Sequence, residues 1–191
     1  EILSGLVGSE MCIRDRGSVT VRYDERGVPH IRAENEADLY RALGYVHAQD
    51  RLFQMEVLRR LSRGELAEVL GPKLVDTDKL FRSLRIRERA DSYIAGLDHQ
   101  SPAWKALEAY LDGINQYQDS HASPIEFDVL GIRKRPFTAE DTVSVAGFMA
   151  YSFAMAFRTE PLLTYIRDEL GNDYLKAVSY THLRAHETRE D

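Results

Sequence analysis

Leu39, Leu43, Val46, Phe53, Val57 and Leu61 recur in steps of three, four and seven, which lays one apolar stripe along a helix. Asn35 stands at its head with Asp38 three positions on; that box-like pair predicts a cap and places acids at the positive end of the helix dipole. The helix is expected to run from Asn35 to about Ser62. Asp50 falls inside the stripe, and a carboxylate there must reach water or meet a cation, because burying it unpaired costs several kcal/mol. Arg59, Arg60, Arg63 or an arginine across the fold is the expected partner. Glu56 and Arg60 read as an ordinary surface pair that contributes little.

Alternation and turn residues organise the remainder. Val19, Val21 and Tyr23 alternate with polar residues, DERG supplies a turn, and Val28 to Ile31 resume an extended run, predicting a hairpin over about 19–32. Pro29 cannot donate to a ladder and so favours an edge or a bulge. A short helix is expected from Gly64 through Leu70, ended by Gly71-Pro72. The Asp76-Thr77-Asp78 cluster is expected to cap a third stretch carrying Leu80, Phe81 and Leu84, since it lacks the spaced oxygens and the glycine of a calcium loop. Ser101-Pro102 opens a helix with Trp104, Leu107, Leu111 and Ile114 as core positions. Pro124 and Pro136 bracket an expected extended segment, IEFDVLGI. Thr138 with Asp141 forms a capping box for a helix that is apolar nearly all round from Val143 to Phe157. Glu160-Pro161 is expected to stop it and start a last helix ending at Gly171.

Composition narrows the picture. The 191 residues hold 25 Lys and Arg against 31 Asp and Glu, a net charge of −6. Such a mildly acidic, mixed balance gives no basic footprint for nucleic acid and no charged run for a membrane surface. No apolar run reaches the roughly 18 to 20 residues of a spanning helix. LVGSEMCIRDR (Leu6 to Arg16) and VSYTHLRAHET (Val178 to Thr188) resemble the two strands of a transposon-type sequencing adapter translated in frame. Residues 1–16 and 178–191 are therefore expected to be non-native flanks around a protein spanning 17–177. Cys12, the only cysteine, lies in the first flank, so disulfides, thiolate zinc sites and cysteine nucleophiles are not expected.

Candidate chemistry is sparse. His30 reads as a strand residue facing a polar neighbour. His47 and Asp50 share a helix face and are spaced for a metal, a proton-transfer pair or a structural hydrogen bond; no third ligand has matching spacing. Phe148, Met149, Tyr151, Phe153, Met155 and Phe157 form either plain core or one wall of an apolar pocket.

GVPHI at Gly27 to Ile31, GYVHAQDRLFQMEVLRR at Gly44 to Arg60 and GELAEVLG at Gly64 to Gly71 resemble the penicillin acylase family. The likeness continues through IEF at Ile125 to Phe127 and the helix around FMAYSF, covering Val19 to Tyr174. It implies an α+β, predominantly helical fold: an N-terminal hairpin followed by the helical α-subunit part of an αββα N-terminal-nucleophile hydrolase. It also implies a zymogen-type precursor, a β-subunit partner and a periplasmic or secreted location. The activity implied is hydrolysis of an amide between an acyl group and a small amine. In that class a serine freed by self-cleavage attacks the amide, and its own α-amine, with an ordinary pKa near 7.7 to 8.0, accepts its proton. That serine belongs to the β-subunit, so no catalytic residue is assigned here and the α-subunit alone is expected to be silent. No organic cofactor is implied.

The resemblance carries Met149 and Phe153 over as substrate-binding residues. Ser152 stands where penicillin-cleaving relatives carry an arginine near the substrate's polar end, which leaves aromatic and aliphatic acyl groups both open. Glu160 matches a glutamate that binds structural calcium together with β-subunit ligands; a helix-capping carboxylate is the competing account. A non-catalytic helical binding module, docking through Val143 to Phe157, is the alternative function. On the acylase reading Asp50 is a scaffold residue held by an arginine, with His47 supporting it.

Overall fold

The computed structural model describes residues 8–9, 18–154 and 156–174. The chain divides into two units, Glu1–Phe148 and Met149–Asp191. Most of the expected flanks lies outside the described residues. The class is as expected, predominantly helical with an N-terminal hairpin.

In the first unit, strand β1 (Gly8–Ser9) pairs antiparallel with β2 (Val19–Tyr23), which pairs with β3 (Pro29–Ala33) in the register Val21 to Ile31. Asp24 builds the β2–β3 turn: its Oδ1 accepts from the backbone N–H groups of Arg26 and Val28, both at 2.9 Å. Gly27 takes φ +74° there, a left-handed conformation that a side chain would strain. The Val28 N–H, then the His30 side chain, hold the Asp24 carboxyl below the usual carboxylate range. His30 reaches Asp24 Oδ2 at 3.3 Å, the polar neighbour expected of it. Pro29 occupies an edge strand, where its missing donor is harmless.

The inner face of the hairpin, Val19, Val21, Tyr23 and Ile31, packs on Ala42, Tyr45 and Val46 of helix α1 (Glu36–Arg63). Asn35 caps α1 by accepting from the Asp38 N–H at 2.9 Å. Gly64, at φ +66°, ends it with its N–H on Leu61 O, the left-handed stop that glycine allows at low cost. The inward face is only partly the predicted stripe, of which Val46 is buried and Phe53 packs on the main core. Leu39 is exposed, while Asp38, Ala42, Gly44, Tyr45, Ala48, Leu52 and Glu56 are buried. The reason is the close crossing of α1 with helix α5 (Pro102–Ser120). A Cβ on Gly44 would stand 1.9 Å from the Tyr110 carbonyl oxygen, and one on Gly113 would stand 1.9 Å from that of Arg41. At such a crossing small residues face the partner and large ones flank it.

Beyond Gly64 the short helix α2 (Ala67–Leu70) is followed by a 3-10 turn, Pro72–Leu74, then α3 (Val75–Ser83) and α4 (Ile86–Ala95). The Asp76-Thr77-Asp78 expectation is corrected here. Helix α3 begins before that cluster, and buried Asp78 caps α2, accepting from Leu66 N at 2.9 Å and Ala67 N at 2.8 Å. Ser101 caps α5 through Trp104 N, and Leu111 and Ile114 enter the main core with Ala48, Leu52, Ile94, Phe127, Ile132 and Phe137.

IEFDVLGI is not extended. Ile125–Leu130 forms helix α6, which buries Phe127 and stops at Gly131 with φ +66°. Its i, i+2 alternation imitates a strand, yet only one of the alternating residues turns inward. Helix α7 (Ala139–Phe153) starts on the expected box: Thr138 N donates to Asp141 Oδ2 at 3.1 Å, and Asp141 N donates to Thr138 Oγ1 at 3.4 Å.

In the second unit, α8 (Ala156–Leu170) ends before Gly171 as expected. The break comes earlier than Glu160-Pro161, at Ala154, and Pro161 lies inside α8. A proline removes the hydrogen bond its nitrogen would make and crowds the carbonyl four residues back, so the helix runs through it at a cost. Met155 falls outside the described residues. Leu162, Tyr165 and Leu170 on α8 are exposed.

Candidate functional site

Met149 and Phe153 lie four residues apart near the end of α7, which puts them on one helix face. Both are exposed, with relative exposures of 50% and 78%, so among the described residues they line no enclosed pocket. Ser152 donates its hydroxyl back to Met149 O at 2.7 Å. Glu160 sits in the fifth position of α8 and is exposed, too far in to cap the helix. Among the described residues no group of three or more His, Cys, Asp or Glu is placed to hold a metal ion.

The pairing of His47 with Asp50 does not form. His47 shares a hydrogen bond of 3.0 Å with Tyr110 Oη, whose phenol burial pushes above its ordinary value. Asp50 is exposed and needs no arginine. It lies at the turn where α1 kinks, beside Arg51 with φ −140° and ψ 20°.

The carboxylate that does require neutralising is Glu56, 0% exposed. Glu56 Oε1 accepts from Arg60 Nε at 2.6 Å, and its Oε2 accepts from Arg59. The surface-pair expectation for Glu56 and Arg60 is therefore wrong. The signal lay in the small residues: carrying the phase of Ala48 and Leu52 forward by four reaches Glu56.

Glu56 belongs to a longer series. Glu68, Arg60, Glu56, Arg59, Asp141, Arg63, Glu65 and Arg135 form one chain of alternating charge, each interior member bridging two neighbours. Side-chain exposure falls from 61% at Glu68 to 0% at Glu56 and 1% at Arg59, then rises to 38% at Arg135. Arg59 also donates to Pro136 O at 3.1 Å and lies 4.0 Å over the Phe137 ring, a cation–π contact. Burial pulls the Arg59 guanidinium below its ordinary value, and Glu56 and Asp141 oppose that. Burial would raise the Glu65 carboxyl, but Arg135 and Arg63 outweigh it and hold it below the usual range. A general acid or base works best with a pKa near the operating pH. Glu65 is moved away from it, which suits a carboxylate held in ion pairs.

Among the described residues no serine meets a base that a carboxylate orients. Ser62 donates to Arg59 O at 2.9 Å. Ser120 stands 2.9 Å from His121 Nδ1, but it also donates to Gln116 O at 2.6 Å, and among the described residues no carboxylate is bonded to His121. A catalytic pair needs the base held by a third group.

Comparison with known proteins gives a consistent answer. The Penicillin amidase family model matches residues 18–182. The penicillin acylase 2 proenzyme of Pseudomonas sp. (strain SE83) is 43% identical over 66% of this chain and 16% of its own length. Penicillin G acylase of Escherichia coli is 34% identical over 78% of the chain and 18% of its length. Acyl-homoserine lactone acylase QuiP of Pseudomonas aeruginosa is 29% identical over 86% and 20%. The chain thus spans a fifth or less of these curated relatives. A solved structure, the thermostable penicillin G acylase of Alcaligenes faecalis, superposes with a TM-score of 0.66 at 29% identity, covering 86% of this chain and 90% of that one. With most of its length matched by the family model, and a 34% identical relative aligned over more than two thirds of it, the chain belongs to the penicillin amidase family.

Proposed function

We propose that the chain is the α-subunit portion of an acylase that hydrolyses the amide between an acyl group and a small amine. The observation that carries this reading is a contrast of coverage. The chain accounts for a fifth or less of its long relatives, one of them called a proenzyme, yet for 90% of a single chain in a solved penicillin G acylase. A precursor divided into a short and a long polypeptide accounts for both.

On this reading the nucleophile comes from the partner portion of the same precursor. Its N-terminal serine hydroxyl attacks the amide carbon, the α-amine takes the hydroxyl proton and the small amine departs carrying a proton. Water then releases the acid and restores the serine. The α-subunit is inactive alone and supplies scaffold and one pocket wall. The outward faces of Met149 and Phe153 suit that role, being apolar surface that a second polypeptide would cover. With relatives named for penicillin and for acyl-homoserine lactones, the acyl group is the open variable.

Calcium belongs to the same proposal. The ion takes six to eight oxygens, and Glu160 supplies one exposed carboxylate, so the remaining ligands would come from the partner portion. A periplasmic or secreted location is likewise part of it; among the described residues no helix is long and apolar enough to cross a membrane.

The test begins with the uninterrupted gene, which should encode a spacer and an autocleavage serine downstream. The processed heterodimer is then assayed on phenylacetyl, short aliphatic and long-chain acyl amides. A gene without that serine, expressing a monomeric helical protein, would instead establish the non-catalytic binding module.

A further inference from the structure

The two edges of the β2–β3 hairpin are unlike. Asp24 N donates to Val28 O, and Tyr23 stands opposite Pro29. The alternation of an antiparallel ladder then directs the N–H and C=O groups of Thr20 and Arg22 toward β3 and those of Val19, Val21 and Tyr23 away from it. On β3 the outward positions are Pro29, Ile31 and Ala33, so the donor that Pro29 lacks is missing from the outer edge, where its absence hinders a further strand. β2 holds no proline, and its register runs unbroken from Val19 to Tyr23. Its outer edge accepts a strand in this structure: β1 pairs there over two residues, Gly8 with Arg22 and Ser9 with Val21. The family match begins at residue 18, so the accepting edge belongs to the matched segment and the strand seated on it does not. The hairpin's outer face is cationic in a chain of net charge −6. Arg22, His30 and Arg32 are exposed there, with Arg22 directly opposite His30. His30 has Asp24 as its partner, whereas among the described residues neither Arg22 nor Arg32 makes an ion pair.

We propose that the outer edge of β2 is a docking edge for an extended strand of the partner portion of the precursor, which adds to the hairpin where β1 sits here and sets an acidic side chain beside Arg22. This rests on the acylase reading above, which supplies the partner. The chain spans a fifth or less of its curated relatives, so most of such a precursor lies outside it. A two-stranded hairpin is marginal by itself and gains from a third strand. In strand addition the main-chain bonds, here at Val19, Val21 and Tyr23, give affinity, and alternate side chains give register. Those side chains are specified on both faces. Residues beside Val19, Val21 and Tyr23 share the face that packs on α1 and are apolar. Residues beside Thr20 and Arg22 share the outer face, where a carboxylate opposite Arg22 makes a favourable cross-strand pair. The proline on β3 and its absence from β2 leave one edge for this addition.

The test uses processed enzyme expressed from the uninterrupted gene. Amide hydrogen exchange is read residue by residue over Val19–Tyr23, and a crystal structure identifies what lies beside β2. Thr20 and Arg22 donate to β3 in either case and serve as internal controls. The Val19, Val21 and Tyr23 amides are expected to exchange at least about a hundredfold more slowly than unpaired chain. Exchange of those three at the unpaired rate overturns the proposal, and so does a strand on β2 drawn from the α-subunit's own chain. Arg22→Glu is expected to speed the urea-induced separation of the two portions about tenfold, and Arg22→Lys to leave it within about twofold. An unchanged rate in Arg22→Glu overturns the acidic partner. Should that variant fail to mature, Val19→Pro, which removes one outward donor and no bond to β3, is read the same way, and an unchanged rate there overturns the docking edge. A gene with no downstream portion overturns the acylase reading and this inference with it. An active, processed enzyme whose Val19, Val21 and Tyr23 amides exchange freely overturns this inference alone.

Discussion

The two halves of helix α1 solve the same problem by opposite means. Upstream of the kink at Arg51 the helix meets α5 through absent side chains: Gly44 and Gly113 each lie where a Cβ would collide with a backbone carbonyl. Downstream it meets its neighbours through long charged side chains, with Glu56, Arg59 and Arg60 buried in one alternating series. The upstream contact is short-range and tolerates no added volume. The downstream contact spans more distance and tolerates no unbalanced charge.

Removing Glu56 should have the largest effect. Glu56→Ala leaves Arg59 with Asp141 as its remaining carboxylate and should destabilise the fold by about 3–5 kcal/mol, read as a lower urea midpoint. A loss below about 1 kcal/mol would show that the downstream half is held by packing after all. Next comes Gly44→Ala, expected to cost about 1–3 kcal/mol because the obstacle is backbone and cannot rotate away. An unchanged midpoint there would refute the close crossing.

Acid separates the halves in a third way. The Glu65 carboxyl is held below its ordinary value by Arg135 and Arg63 against burial. Its contribution is therefore complete above the unfolded value, about 4.3 for glutamate, and is lost as pH falls through the lower folded value. Urea midpoints of the wild type should drop across that window, and those of Glu65→Gln should drop less steeply. Equal slopes would remove Glu65 from the series. The smallest effect belongs to Asp50→Ala, at an exposed position, expected to stay within about 0.5 kcal/mol. A large loss would restore the buried, arginine-held role that the apolar stripe suggested.

These contrasts explain what could be read from residues alone. Asn35, Ser101 and the Thr138–Asp141 box were legible because a cap is written within four residues of the turn it serves. Asp78 was not, because it caps a helix whose first residue lies 11 positions away. Helix α6 was hidden by its length, six residues being too few to separate a helical from an alternating period. The candidate pocket residues came from family likeness, with spacing only consistent with it. The charge series was half visible. Glu56, Arg59 and Arg60 are spaced as helical pairs, but Asp141 joins Arg59 from 82 positions away, a distance that no local pattern reports.

The shared pairing of that series bears on how the sequence can drift. Each interior carboxylate neutralises two arginines and each interior arginine serves two carboxylates. A neutral substitution at one interior position therefore leaves the interior groups on either side with one partner where they had two, and only a compensating change next to it restores the balance. Positions 56, 59, 60, 63, 65 and 141 should consequently evolve in linked steps, while Glu68 and Arg135, each joined to a single member of the series, are free to vary alone. Homologous sequences should bear the mark as correlated losses of opposite charge inside the series and unlinked variation at its two ends.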